Sequence, residues 1–315
     1  MKFSIKEKKS LLIILILISA IRITFGEWRI PLSEVIRFLL CDDGSPASII
    51  VRSVRVPRLL CSIGTGGLLS VAGVVFQGLL ANPLAEPYTL GIASGAAFGA
   101  SLGIVAGSFM VMPMSFAGAL SALLLTGLIA RAGPEKIILA GVISNSILSA
   151  GVTFVKSIAG DKIGAVVMWL MGSMSGAGSR DVAAVYVGVL SAMIPALAFA
   201  PALDAMSLGQ DRAAILGVNE RLVRMILLIS SSLGVALAVS SFGVIGFVGL
   251  SVPHISRKLT GASHRKLIFQ AFLMGACVLS IADGLAQFMG EVPVGVLTAM
   301  TGGPFFCWIL SKRDS

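Results

Sequence analysis

The chain has 315 residues, of which 56% are hydrophobic and 12% charged, with a mean hydropathy of +0.98. A water-soluble domain carries about 25% charged residues, so this composition excludes a globule in water and points to an integral membrane protein. The net charge of +9 is dispersed between apolar runs; it reads as membrane topology and not as a nucleic-acid footprint.

The apolar segments fall at 11–25, 59–81, 88–107, 110–130, 137–158, 182–203, 225–247, 248–259, 267–288 and 294–310. Most are about the length that crosses a bilayer core, which predicts an all-α bundle of about ten transmembrane helices in one domain, residues 1–315. A half-helix is expected over 163–174. The first segment, "LLIILILISA" behind "KEKKS", has the look of a secretory leader; Arg22, two residues after Ala20, is an awkward flank for cleavage, so the span is expected to stay. Lys2, Lys6, Lys8, Lys9, Lys312 and Arg313 put both termini on the cytoplasmic side by the positive-inside rule. Cys41, Cys61, Cys277 and Cys307 form no C-x-x-C, so neither disulfide nor metal is expected.

After the first span, "WRIPLSEVIRFLL" predicts a surface helix at about 29–40. Pro31 suits its first turn, Leu32, Val35, Ile36, Leu39 and Leu40 form one face, and Glu34 and Arg37 lie opposite. "VRSVRVPRLL" sets Arg52, Arg55 and Arg58 outside, against the charge bias. Arg55 and Arg58, three apart, are expected on one helical face, as headgroup anchors or as a dock for an acidic partner.

The stretch "QGLLANPLAEPYTLGIASGAAFGASLG" then breaks the second span at Asn82, Pro83, Glu86 and Pro87. Prolines free carbonyls that lipid cannot satisfy, so the break is expected inside protein or against a cavity. Gly91, Gly95, Gly99 and Gly103 follow four apart, a stripe for close helix packing. A second break is expected in "SSFGVIGFVGLSVPHISRKLTG", with Gly243, Gly246 and Gly249 thinning a helix that Pro253 interrupts and His254 capping or packing beside it. The runs from Arg58 to Pro83 and from Arg224 to Pro253 cross in opposite senses, like an inverted repeat. On the cytoplasmic side, 204–221 is the longest polar stretch; two short helices joined at Gly217-Val218 fit it, and it reads as a plain loop or as a partner's handle. No phosphate-binding loop occurs, so the chain does not hydrolyse ATP, and no Ser/His/Asp set or H-E-x-x-H can be assembled.

These strings, in order, resemble one family. "RVPR", "GGLLSVAGVVFQ", "NPLAEPYTLGIASGA", "ILAGV", "WLMGS", "LGQDRAAILGV", "GFVGLSVPHISRKLTGASHR", "AD" and "EVPVGVLTAMTGGPFF" are similar to FecCD-type permeases, the membrane subunits of ATP-binding-cassette importers for ferric siderophores, haem and cobalamin. The resemblance implies a homodimer of ten-helix subunits in the inner membrane with the pathway at the dimer interface. It implies that ATP and Mg act only on two cytoplasmic ATPase subunits, gripping Leu208, Gly209, Gln210, Asp211, Arg212, Ala213, Leu216, Gly217 and Val218. It implies a substrate-binding protein outside, docking on Arg55 and Arg58. Gln287 stands where some members have a further docking arginine. Asn82, Pro83 and Glu86 would lie near the pathway, Asn145, Ser146, Ser149 and Thr153 would line it, and Arg131 and Glu135 would sit at the cytoplasmic gate. The competing expectations are an ion-gradient transporter using Glu86 or Asp283, and a membrane scaffold.

Overall fold

The computed structural model describes residues 5–26, 28–129, 134–261 and 263–311. Every regular element among them is a helix: α1 (Ile5–Thr24), α2 (Leu32–Leu40), α3 (Pro46–Ile49), α4 (Val56–Leu79), α5 (Ile92–Ala106), α6 (Val111–Ile129), α7 (Pro134–Ile158), α8 (Ile163–Leu170), α9 (Ser179–Ala198), α10 (Ala200–Met206), α11 (Gln210–Ile215), α12 (Glu220–Phe242), α13 (Val248–Thr260), α14 (His264–Phe288) and α15 (Val294–Ser311). Among the described residues, six stretches, including α4, α6, α7, α9, α12 and α14, are by themselves long and apolar enough to cross a membrane. The helices α1, α5, α13 and α15 occupy the other four expected segments. At 1.5 Å per residue α5 reaches about 22 Å, short of the roughly 30 Å core, and the turn at Pro87–Leu90 extends it. The expected half-helix is α8.

The bundle is built around α4. All its residues except Val56, Leu60, Ile63 and Gly78 are buried, because α9, α12, α13 and α14 surround it. The polar side chains of α4 are buried with it and bonded inward: Arg58 pairs with Asp283, Ser62 meets Ser280, and the Gln77 amide donates to the Leu250 carbonyl at 3.2 Å. The glycine stripe has a definite use. A methyl built on Gly95 would lie 2.3 Å from the Gly118 carbonyl oxygen, and one on Gly99 would lie 2.0 Å from that of Met114. The stripe lets α5 and α6 touch backbone to backbone.

Three local expectations change. Pro31 is the N-cap of α2, with extended ψ, and not a residue of its first turn. The α2 face divides: Val35 and Phe38 are buried against Ile30 and Val51, whereas Leu32, Ile36, Leu39 and Leu40 point outward. Pro253 does not interrupt a helix. It lies inside α13, its ring against Gly73, with His254 half-buried beside it and not at a cap. The chain breaks earlier, over 243–247, where Gly243 and Phe247 both take positive φ.

Candidate functional site

The break between α4 and α5 is closed by side chains. Ala81 adopts φ +46, a conformation that turns the chain off the helix, and Asn82 Oδ1 accepts the Leu84 N–H at 2.9 Å. The Glu86 N–H donates to Thr89 Oγ1 at 3.0 Å. The carbonyls freed downstream find donors on neighbouring helices. Thr126 Oγ1 donates to the Leu90 carbonyl at 2.9 Å, and Asn145 Nδ2 to that of Tyr88 at 3.4 Å. The Tyr88 hydroxyl donates to the Ile245 carbonyl at 3.0 Å and accepts the Ile245 N–H at 3.3 Å. One phenol therefore ties the two breaks together, a contact that spacing in the sequence does not reveal. The irregular backbone is thus satisfied within protein, as a bilayer environment demands. In this connection Glu86 is half-buried.

Helix α7 carries the expected lining residues. Ser146, Ser149 and Thr153 are exposed and continue to Ser157 as a polar stripe at i, i+3 and i+4 spacing. Ser146 Oγ bonds back to the Val142 carbonyl at 3.0 Å and Thr153 Oγ1 to that of Ser149 at 3.0 Å. Beside this stripe runs an exposed apolar one of Ile143, Ile147, Phe154 and Ile158. Asn145 leaves the group: it is half-buried, accepts a hydrogen bond from Ser94 Oγ at 2.7 Å and faces α5. Pro83 is exposed at the tip of the break. Arg131 lies outside the described residues, as does the side chain of Glu135, whose backbone begins α7.

The polar stretch 204–221 runs from the end of α10 through one short helix, α11, between two glycines in positive φ, Gly209 at +106 and Gly217 at +75, into the start of the long α12, so Gly217-Val218 joins a short helix to a long one and not two short ones. Gln210 and Asp211 supply its first turn. Ala213 is buried, and Val218 packs against the core. Arg212 is exposed, and Leu208, Ile215 and Leu216 stand out as an apolar knob, Ile215 being 84% exposed. Asn219 caps α12 by accepting the Leu222 N–H at 3.1 Å.

The two arginines of the expected dock have partners within the subunit. Arg55 and Arg58 are both buried and occupied within the subunit. Arg55 donates to the Ile23 carbonyl at 2.7 Å and to that of Trp28, closing the C-terminal end of α1. Arg58 donates to Asp283 at 2.9 Å and to Glu291 at 2.7 Å. Asp283, fully buried, also pairs with Arg22, which reaches the Gln287 side-chain oxygen at 3.2 Å. Residues 50–55 form a π-helical turn that leads into α4, and the two arginines take their partners from different elements.

Residues 11–312 match the profile of the FecCD transport family. A probable iron chelatin transport system permease protein of Helicobacter pylori strain J99 is 33% identical over 309 residues, covering 96% of this chain and 95% of its own length. The hemin transport system permease protein HmuU of Yersinia pestis is 36% identical over 282 residues, covering 83% of each chain. Among solved structures, an inward-facing conformation of a metal-chelate type ABC transporter superposes with a TM-score of 0.88 at 29% identity, covering 98% of this chain and 99% of the other.

Proposed function

The chain belongs to the FecCD transport family as a membrane permease subunit, a transport component and not an enzyme, and from that premise we propose that two copies form the pathway of an ATP-binding-cassette importer. The cargo class is an iron chelate, haem or a cobalamin-like molecule, which a binding protein delivers to the Asp283 end of the bundle. Alternating access at the interface between the copies passes it to the cytoplasm. The polar stripe of Ser146, Ser149 and Thr153 lines the pathway, and the apolar stripe beside it meets the second copy. The positive-inside rule puts α11 and both termini in the cytoplasm, with Arg131 and Glu135 at the inner gate and the break at Asn82, Pro83 and Glu86 near it.

The observation that carries this reading is the set of exposed apolar residues around α11: Ile215 and Leu216 at its end, between the two glycines, and Leu208 just ahead of Gly209. Such a projection, left uncovered by its own subunit, suits the groove of a soluble partner. The partner is the ATPase subunit, which holds ATP and Mg; this chain has no phosphate-binding loop of its own. The ion-gradient alternative gains nothing from Asp283, whose carboxylate is held by two guanidiniums as their counter-ion.

The test is capture of the ATPase by the permease in nanodiscs. Ile215→Asp with Leu216→Asp is expected to weaken association at least about tenfold, since burying an unpaired charge is strongly unfavourable. Leu32→Asp, on the outward face of distant α2, should leave it intact. Undiminished ATPase capture by the double variant contradicts the assignment.

A further inference from the structure

Helices α4 and α14 run side by side for their whole length, and three contacts make them one body. Ser62 and Ser280 share a hydrogen bond at 3.1 Å between buried hydroxyls. A methyl on Gly66 would lie 2.2 Å from the Gly275 carbonyl oxygen, so the backbones touch there. A methyl on Gly78 would lie 3.0 Å from His264 Nε2, so the last turn of α4 rests on the first residue of α14. Close-packed interfaces of this kind shift as units and do not deform continuously.

Both ends of the pair are fastened to other elements by charged groups. At one end Asp283 and Glu291 hold Arg58 of α4 and, through Asp283, Arg22 of α1. At the other end Asp204, on α10, reaches across to α14. Its Oδ1 accepts the His264 backbone N–H at 2.9 Å and lies 2.6 Å from His264 Nδ1. An ionised carboxylate can only accept, so Nδ1 carries the proton. The imidazole is buried, whereas Asp204 remains 42% exposed. Asp204 thereby supplies the N-cap that Ser263, which makes no side-chain cap bond, does not. Only Ser207, Leu208 and Gly209 separate α10 from α11.

We propose that α4 and α14 act as a rigid strut and that Asp204 is the positioning residue that fastens this strut to the coupling helix, so that a displacement of α10 and α11 arrives at the Asp283 cluster as movement of the whole pair. The strut spans about 37 Å along α14. The inference rests on the reading of α11 as the ATPase contact; without a force applied there, the strut has nothing to transmit.

The experiment measures distance change at the far end. Spin labels are placed at Met289→Cys, beyond α14, and at Asp161→Cys, just past the end of α7, in a chain whose native cysteines are replaced by serine. The permease is held in nanodiscs with its ATPase, with and without a non-hydrolysable ATP analogue. The parent chain is expected to show an analogue-induced distance change of at least about 2 Å, the scale of interface helix shifts. Asp204→Ala should reduce that change to less than about a third while ATPase capture persists. Asp204→Asn, which still accepts the His264 N–H, should recover part of it, and His264→Gln should lose the part due to the imidazole. A purely structural role would lower the melting temperature of Asp204→Ala and leave the nucleotide response whole; a full response in Asp204→Ala with ATPase bound overturns the proposal. If the parent chain fails to capture the ATPase, the coupling reading itself falls, and the strut proposal falls with it.

Discussion

Asp283 shows how far one residue's meaning depends on partners that the sequence holds far apart. Its guanidinium partners are Arg22 and Arg58, 261 and 225 positions away. No periodicity connects such residues, so an acid inside a predicted span read equally well as a proton carrier. The same distance hid the partners of Arg55 and Arg58, a carbonyl and carboxylates on other elements. A buried carboxylate between two arginines has a defined energetic consequence. Asp283→Asn removes the charge that balances two desolvated cations, and breaking a buried pair typically costs about 3–5 kcal/mol. The variant is expected to melt well below the parent in detergent. Replacing Arg22 and Arg58 by methionine together with Asp283→Leu should restore most of the loss, because an apolar exchange leaves no charge behind. A melting temperature unchanged in Asp283→Asn contradicts the counter-ion role.

At the scale of elements, helix positions were legible where a span is a long apolar run, as in α4, α6, α7, α9, α12 and α14. The glycine stripe of α5 was legible too, since four-residue spacing has few uses in a bilayer other than close packing. Misreadings arose where proline was taken as a stop. Pro253 sits in α13 without ending it, and the true break over 243–247 uses positive φ at Gly243 and Phe247, which a non-glycine residue does not advertise. The stripe gives a sharp expectation. Gly99→Val puts branched carbons where the Met114 carbonyl already lies 2.0 Å from a bare methyl. Overpacking commonly costs about 1–3 kcal/mol, and an opposing backbone atom leaves little room to yield, so the upper figure is expected. Gly164→Val, in α8 with open space around it, should stay within about 0.5 kcal/mol. Thermal or denaturant unfolding of the two variants side by side checks this, and equal losses contradict the packing account.

For the whole molecule, membrane class and all-helical architecture followed from composition and apolar spacing, and family membership from motif order along the chain. The candidate site was legible in part. Ser146, Ser149 and Thr153 could be placed on one stripe because helical period alone sets their direction, and the glycines around α11 marked its limits. Asn145 escaped because the carbonyl it serves belongs to the break before α5. The claim that joins these parts is that transport through this chain is driven by a separate ATPase, with no ion gradient coupled to Glu86 or Asp283. The measurement is uptake of an iron chelate by proteoliposomes containing the permease, with the binding protein outside and the ATPase and ATP inside. The account predicts uptake that requires both the ATPase and ATP, is absent for the permease alone, and is indifferent to collapse of proton and sodium gradients. Uptake driven by either gradient with no ATPase present would contradict it.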